Sequence, residues 1–122
     1  MVNRDALKAD DTDPTLTYTG SWTANKPSGQ YNNAQHYTTT NGDSFSYTFT
    51  GTGIDYITTK ATSRGKVDIY IDGALKQTAN CYSATQQDQQ VCASVRGLNN
   101  GKHTIKIKKV DGHHMSLNAL GR

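Results

Sequence analysis

Apolar and polar residues alternate with period two along most of this chain. In Ser44–Thr50, Phe45, Tyr47 and Phe49 share one face while Ser44, Ser46, Thr48 and Thr50 share the other. In Lys66–Asp72, Val67, Ile69 and Ile71 point one way and Asp68, Tyr70 and Asp72 the other. Val91, Ala93 and Val95 alternate in QQVCASV, and Ile105 and Ile107 alternate with Thr104, Lys106 and Lys108. Strands with one wet face suit an antiparallel sheet. Gly-bearing turns divide them at Asn41-Gly42, Gly51-Thr52-Gly53, Asp72-Gly73, Asn99-Asn100-Gly101 and Asp111-Gly112. Asp72-Gly73 is the clearest hairpin signal. The pattern predicts strands near 15–19, 34–39, 44–50, 54–60, 66–72, 74–80, 89–96, 102–109 and 114–120, and no helix. Short strands at this spacing mean an all-β fold, an antiparallel β-sandwich or barrel.

The 122 residues suffice for one domain with one core. The expected layout is a flexible N-terminal segment over residues 1–12 and a single sandwich over 13–122, with no internal repeat. Hydrophobic residues make up 34% and charged residues 19%, so Thr, Ser, Asn, Gln and Gly carry the polarity. That composition fits an extracellular β-protein. All ten acidic residues are Asp, which excludes Glu-based general acid chemistry. The net charge of +3 is mild. Lys102, Lys106, Lys108 and Lys109 are read as a solvated strand face rather than a nucleic-acid footprint. No apolar run reaches membrane-span length, and no signal peptide is visible. With Met1 beginning the chain abruptly, the reading is a monomeric module of a longer secreted protein.

Cys81 and Cys92 enclose YSATQQDQQV. In a secreted chain a disulfide is the favoured reading, worth about 3 kcal/mol on the loop-entropy picture. The alternative is two buried thiols in neighbouring strands. Two cysteines cannot make a zinc site, and the adjacent His113 and His114 would point to opposite faces of a strand.

DDTDPTLTYTGSW, YTFTGTGIDYI, RGKVDIYIDGALKQT, CYSATQQDQQV, VRGLNNGKHTIKIKKVDG and MSLNAL together span Asp10 to Leu120. This series resembles the galactose-binding-like β-sandwich, the jelly-roll form common among carbohydrate-binding modules attached to bacterial glycoside hydrolases and esterases. FTGTGI, VDIYIDG and GLNNGKHTIKI carry the resemblance most specifically, through turns and inward-facing residues. Where that family has an acidic residue in its last strand, this chain has Asn118. The resemblance implies non-catalytic sugar binding, in loops at one end of the sandwich or on a sheet face, and an appended catalytic domain.

A sugar ring has apolar C–H faces and polar edges, so its site needs an exposed aromatic beside planar polar side chains. The segment YTGSWTANKPSGQYNNAQHYTTTNGD holds the only tryptophan, Trp22, with Tyr31 and His36 among Asn and Gln residues. Its aromatics are candidates for a binding platform; the competing reading is that Trp22 caps the core edge. Tyr37 is read as a strand residue facing the core. A second candidate is the TTKATSRGK turn, where Lys60 and Arg64 can bond hydroxyls or a uronate. A third is YSATQQDQQ, where Tyr82, Gln87 and Asp88 are dense in hydrogen-bonding groups and a disulfide would pre-order the loop. On the jelly-roll order the second and third loops are expected at the same end. Asp10, Asp11 and Asp13 offer hard oxygens for a structural calcium ion but lack the Gly and closing Glu of an EF-hand, and a flexible acidic entry segment is the favoured reading.

Catalytic signatures are weak. There is no GxSxG elbow, no P-loop and no complete GxGxxG, and nothing selects a glycosidase carboxylate pair from ten Asp. The function expected is therefore a carbohydrate-binding module that holds a secreted enzyme on a polysaccharide or oligosaccharide, with no nucleic-acid or membrane partner. A protein-interaction or adhesion module of the same fold is the competing reading, and a small hydrolase or esterase the weaker one.

Overall fold

In the computed structural model the described residues are 8–10, 16–25, 35–117 and 119–121. Twelve strands order them: β1 (Lys8–Asp10), β2 (Thr17–Thr19), β3 (Thr23–Asn25), β4 (Gln35–Thr38), β5 (Ser44–Gly51), β6 (Ile54–Lys60), β7 (Lys66–Ile71), β8 (Ala74–Asn80), β9 (Gln87–Val95), β10 (Gly101–Lys109), β11 (Met115–Leu117) and β12 (Ala119–Gly121). Every strand pairing is antiparallel. They form a five-stranded sheet, β2-β5-β10-β7-β8, a four-stranded sheet, β1-β12-β6-β9, and a three-stranded sheet, β11-β4-β3.

The alternation read from the sequence is the packing. Phe45, Tyr47, Phe49, Val67, Ile69, Ile71, Ile105 and Ile107 turn inward from the five-stranded sheet. Ile54, Tyr56, Ala93, Val95, Met115, Leu117 and Leu120 meet them from the other two, giving a β-sandwich with one core. Cross-strand register aligns the inward residues, with Phe45 opposite Ile107 and Ile107 opposite Ile69. The two smaller sheets are joined by side chains. Tyr56 Oη and Thr58 Oγ1 both donate to the Ser116 carbonyl, the latter over 2.7 Å. Burial pushes the Tyr56 phenol up to about 12, so it stays a donor at any physiological pH.

Two features go beyond the alternation. Lys8–Asp10, inside the segment expected to be flexible, runs as β1 against β12, supplying partners for an otherwise open strand edge. The single strand expected over 114–120 divides: β11 pairs with β4, while β12 pairs with β1 and β6. The short β3, paired with β4, has no alternation to announce it.

The Asp72-Gly73 hairpin has φ of 51° and 87° at its two residues, the left-handed pair that a tight two-residue turn requires. Asp72 also pins the neighbouring loop. Its Oδ1 accepts from the Thr104 amide at 2.8 Å and its Oδ2 lies 2.7 Å from His103 Nδ1. The other imidazole nitrogen, Nε2, lies 2.6 Å from the Asn99 carbonyl. With an acceptor on each side, the ring is best satisfied as imidazolium. The Asn99 carbonyl first, then Asp72, raises the His103 pKa, and His103 first, then the Thr104 amide, lowers that of Asp72. A raised histidine pKa contributes stability that is complete below the unfolded value, near 6.5, and is lost as pH climbs through the folded value. The thermal midpoint of the wild-type chain minus that of His103→Gln should therefore shrink as pH rises from about 6 through 8. A difference that stays constant over that window would show that the contact is not charge-assisted.

Candidate functional site

One end of the sandwich gathers the loops 20–22, 39–43, 61–65, 81–86 and 110–114, because it receives the ends of β2, β4, β6, β8 and β10. Three of these loops are stitched together by backbone hydrogen bonds. The Ala61 amide donates to Cys81 O (3.3 Å), Cys81 N to Gly65 O (2.9 Å) and Ser83 N to Ala61 O (3.1 Å). The Ser63 carbonyl accepts from both His113 N and His114 N at 2.9 Å. Isolated bridges align Ala61 with Tyr82 and Arg64 with His114. Gly112, at φ 82°, presses its backbone on Gly65, and a Cβ there would fall 2.6 Å from the Gly65 nitrogen.

Two buried charged residues hold the outer loops to this frame. Lys109 continues the inward series of Ile105 and Ile107, yet it is only 1% exposed. Its ammonium donates to Asn41 Oδ1 and, at 2.6 Å, to the Gly112 carbonyl. Burial lowers its pKa, offset by the charges of Asp111 and Asp43. Lys109 is thus set apart from Lys102, Lys106 and Lys108, with which the sequence grouped it on a solvated face. Asp43 accepts from the Ser21 amide (2.9 Å) and the Thr38 hydroxyl (2.6 Å), tying the loop before β3 to the end of β4. Cys81 and Cys92 form a disulfide with Cα atoms 5.6 Å apart, fixing the 81–86 loop to β9.

Several sequence-predicted residues come together here. Lys60, at the end of β6, is the register partner of Gln87, at the start of β9. Arg64 is half-buried in the adjoining turn, with a guanidinium nitrogen 2.8 Å from Ser63 Oγ. Tyr82 is 53% exposed, more than any other Tyr, Trp or Phe among the described residues. Asp88 lies on β9 and Asp10 on β1, both with side chains outside the description, and Tyr31, Asp11 and Asp13 lie outside the described residues. Among the described residues no three His, Cys, Asp or Glu groups converge as a metal site.

Trp22 and His36 sit apart from that group. The indole is half-buried against the core, tilted on Tyr18 at 5.1 Å and edge-on to Phe45 at 6.0 Å, and its Nε1 donates to the Thr19 carbonyl at 3.0 Å. His36 stacks on Tyr18 at 4.3 Å. A hydrophobic side chain stands in a polar segment because Tyr18 of β2, four residues earlier, and Phe45 of β5, distant in sequence, complete its surroundings.

The structure adds residues that sequence reasoning passed over. His114 is half-buried beneath the loops, with Tyr37 edge-on at 5.5 Å and His113 at 4.4 Å. Tyr37 thus meets His114, whereas the sequence set it toward the core. Burial first, then the charges of Arg64, His113 and Lys109, lowers the His114 pKa, so the ring is neutral near pH 7. The Asp111-Gly112 turn followed by two histidines was the available signal. The His103–Asp72 contact lies at the far end, and both nitrogens of its ring are engaged, leaving none to activate a nucleophile.

Comparison with known proteins places this geometry in a family. Residues 29–120 match the carbohydrate esterase 2 N-terminal family, and the chain belongs to it. It is 35% identical over 101 residues to the A type blood N-acetyl-alpha-D-galactosamine deacetylase of Flavonifractor plautii, covering 83% of this chain and 13% of that protein. It is 32% identical over 99 residues to the A type blood alpha-D-galactosamine galactosaminidase of the same organism, covering 80% of this chain and 9% of that protein. The chain therefore spans only a small part of these relatives. Among solved structures, a carbohydrate-binding module in complex with calcium and xylotriose superposes with a TM-score of 0.58 at 20% identity, covering 93% of this chain and 96% of that one. The likeness is one of fold, an all-β sandwich.

Two substitutions separate the frame from the aromatic cap. Lys109→Met should destabilise the domain, since each buried acceptor left without its ammonium costs about 1–3 kcal/mol. Urea unfolding would read the loss, and an unchanged midpoint would mean that water replaces Nζ at no cost. Trp22→Ala should lower stability by about 2–3 kcal/mol, somewhat less than for a fully buried tryptophan. A folded variant of normal stability that has lost sugar binding would instead return the indole to the binding surface.

Proposed function

We propose that this domain is a non-catalytic carbohydrate-binding module of the galactose-binding-like type, part of a larger secreted carbohydrate-active enzyme, and that its loop end holds the sugar. The observation that carries the reading is what the two relatives share. One is named a deacetylase and the other a galactosaminidase, so their reactions differ. Their matches cover 83% and 80% of this chain and must overlap, while amounting to 13% and 9% of the relatives. A common segment in enzymes of different chemistry is better suited to holding their common substrate class than to either reaction. Glycans ending in N-acetylgalactosamine or galactosamine are accordingly the first ligands to test.

The loop end supplies the chemistry. Tyr82 presents an exposed ring to the apolar face of a sugar, and Lys60, Gln87 and Arg64, on the strand ends and turn that adjoin its loop, offer donors and acceptors for hydroxyls. Asp88, next to Gln87 in the sequence, is proposed as a further ligand contact. The stitched backbone and the disulfide reduce the ordering cost of binding. An exposed sugar exchanges water hydrogen bonds for similar ones, so the affinity expected is micromolar to millimolar, about 4–8 kcal/mol.

The domain should bind immobilised N-acetylgalactosamine-terminated glycans in an array and by calorimetry. Tyr82→Ala should abolish measurable binding and Arg64→Gln weaken it by about 1–3 kcal/mol, with thermal midpoints near that of the wild type. Absence of binding to any glycan, with a protein captured instead, would favour an adhesion role. Turnover of a glycan or acetyl ester by the isolated domain would overturn the non-catalytic assignment.

A further inference from the structure

The outer face of the five-stranded sheet carries a second arrangement that the loop end does not use. Register places Ser46, Lys106, Tyr70 and Leu75 in one row across β5, β10, β7 and β8. The next row runs Ser44, Lys108, Asp68 and Thr78. The ammonium groups of Lys106 and Lys108 both lie over the Tyr70 ring, 5.9 and 5.7 Å from its centroid. Neither has a carboxylate within ion-pair distance among the described residues. Asp68, the acid of this patch, accepts from Thr78 Oγ1 at 2.7 Å. Lys66 and Lys102 extend the same outward series along β7 and β10, and Thr48 and Thr104 hydroxyls meet at 3.0 Å between them. With Ser44 buried, the outward residues set four lysines beside Asp68, and Asp72 stands in the adjoining hairpin.

We propose that this face is a second glycan-binding surface, one that takes a sulfated polysaccharide on Lys106 and Lys108 as they gather around Tyr70. Charge complementarity requires an anion. Lysine ammoniums act as point charges and suit a tetrahedral sulfate ester; the patch has no guanidinium fork to match a planar carboxylate. A nucleic acid is less well served, because two cations cover the Tyr70 ring that a base would need for stacking. A protein partner would want a buried apolar anchor, and Leu75, 58% exposed, is the single large apolar side chain here. The Lys106–Lys108 pair lies on β10, outside the Tyr82 loop, and does not depend on the sugar that loop holds.

Affinity electrophoresis of the intact chain tests the assignment, with dextran sulfate, polygalacturonate, neutral dextran or duplex DNA in the gel. Dextran sulfate should retard the wild-type chain, neutral dextran should not, and added salt should abolish the retardation. Lys106→Gln/Lys108→Gln should weaken dextran sulfate binding on the order of tenfold with its thermal midpoint preserved. Lys60→Gln/Arg64→Gln should leave it unchanged. No retardation, equal retardation of the double variant, or loss of retardation in the Lys60/Arg64 variant instead would overturn the proposal. Retardation of the Lys60→Gln/Arg64→Gln variant by polygalacturonate or by duplex DNA equal to that by dextran sulfate would overturn its assignment to sulfate esters. Neutral-glycan binding by the loop end is read in separate lanes, so either surface can fail without the other.

Discussion

The loop end depends on an ammonium held where the hydrophobic core runs out. Along β10 the inward positions are Ile105, Ile107 and Lys109, and the third lies among loops rather than between sheets. A hydrocarbon there would pack, but it would leave the Asn41 and Gly112 oxygens without a donor. An ammonium satisfies both while its methylene stem continues the apolar wall. Desolvating the charge is costly, and the fields of Asp43 and Asp111 offset part of that cost. Because Lys109 touches residues on both sides of the end, it sets the spacing of the 40–43 turn against the 110–114 loop, and through His113 and His114 that of the Arg64 turn.

Asp43 plays the matching role on the other side. Its backbone accepts from the Lys109 amide at 2.9 Å, while its carboxylate holds Ser21 and Thr38. The loops that carry Trp22, Arg64 and Tyr82 are therefore parts of one polar framework, even though Trp22 faces the core and Tyr82 faces water. The sheets are held by non-directional burial, which tolerates many side chains of the right size. The loop end is held by directional bonds to particular atoms, which fix where an exposed ring and its polar neighbours stand.

Strand positions were legible in the sequence because alternation is a local signal that burial then enforces. Phe45, Tyr47 and Phe49 need only a sheet with one wet face to point the way they do. The Lys60–Arg64 turn and the Tyr82–Gln87 loop were legible as neighbours only through the order of strands in a jelly roll, and the hydrogen bonds between Ala61, Cys81 and Ser83 give that nearness its physical form. The surroundings of Trp22 were not legible. Its adjacent residues are polar, and of its packing partners Tyr18 lies four residues back across the turn while Phe45 comes from β5. Lys109 was illegible for a related reason: charge suggests solvent, and only the parity of β10 together with two oxygens from separate loops explains its burial. Strands of three residues, such as β3, offer too few positions for a period to show.

Charge on the two lysine settings also behaves differently. Lys109 is screened by the protein alone, so its contribution belongs to the fold. Lys106 and Lys108 stand two residues apart on one strand, about 7 Å by strand geometry, where their mutual repulsion in water is roughly 0.6 kcal/mol. Each gains about 0.5–1 kcal/mol from the Tyr70 ring at an exposed position. Together the two ring contacts outweigh the repulsion by about 1 kcal/mol, so the pair mildly favours the fold while the ring fixes where the ammoniums stand. The pair keeps two charges together on the sheet surface at no net cost to the fold. The protein has thus placed one cation where it must be satisfied internally and two where it leaves the satisfaction to solvent or ligand.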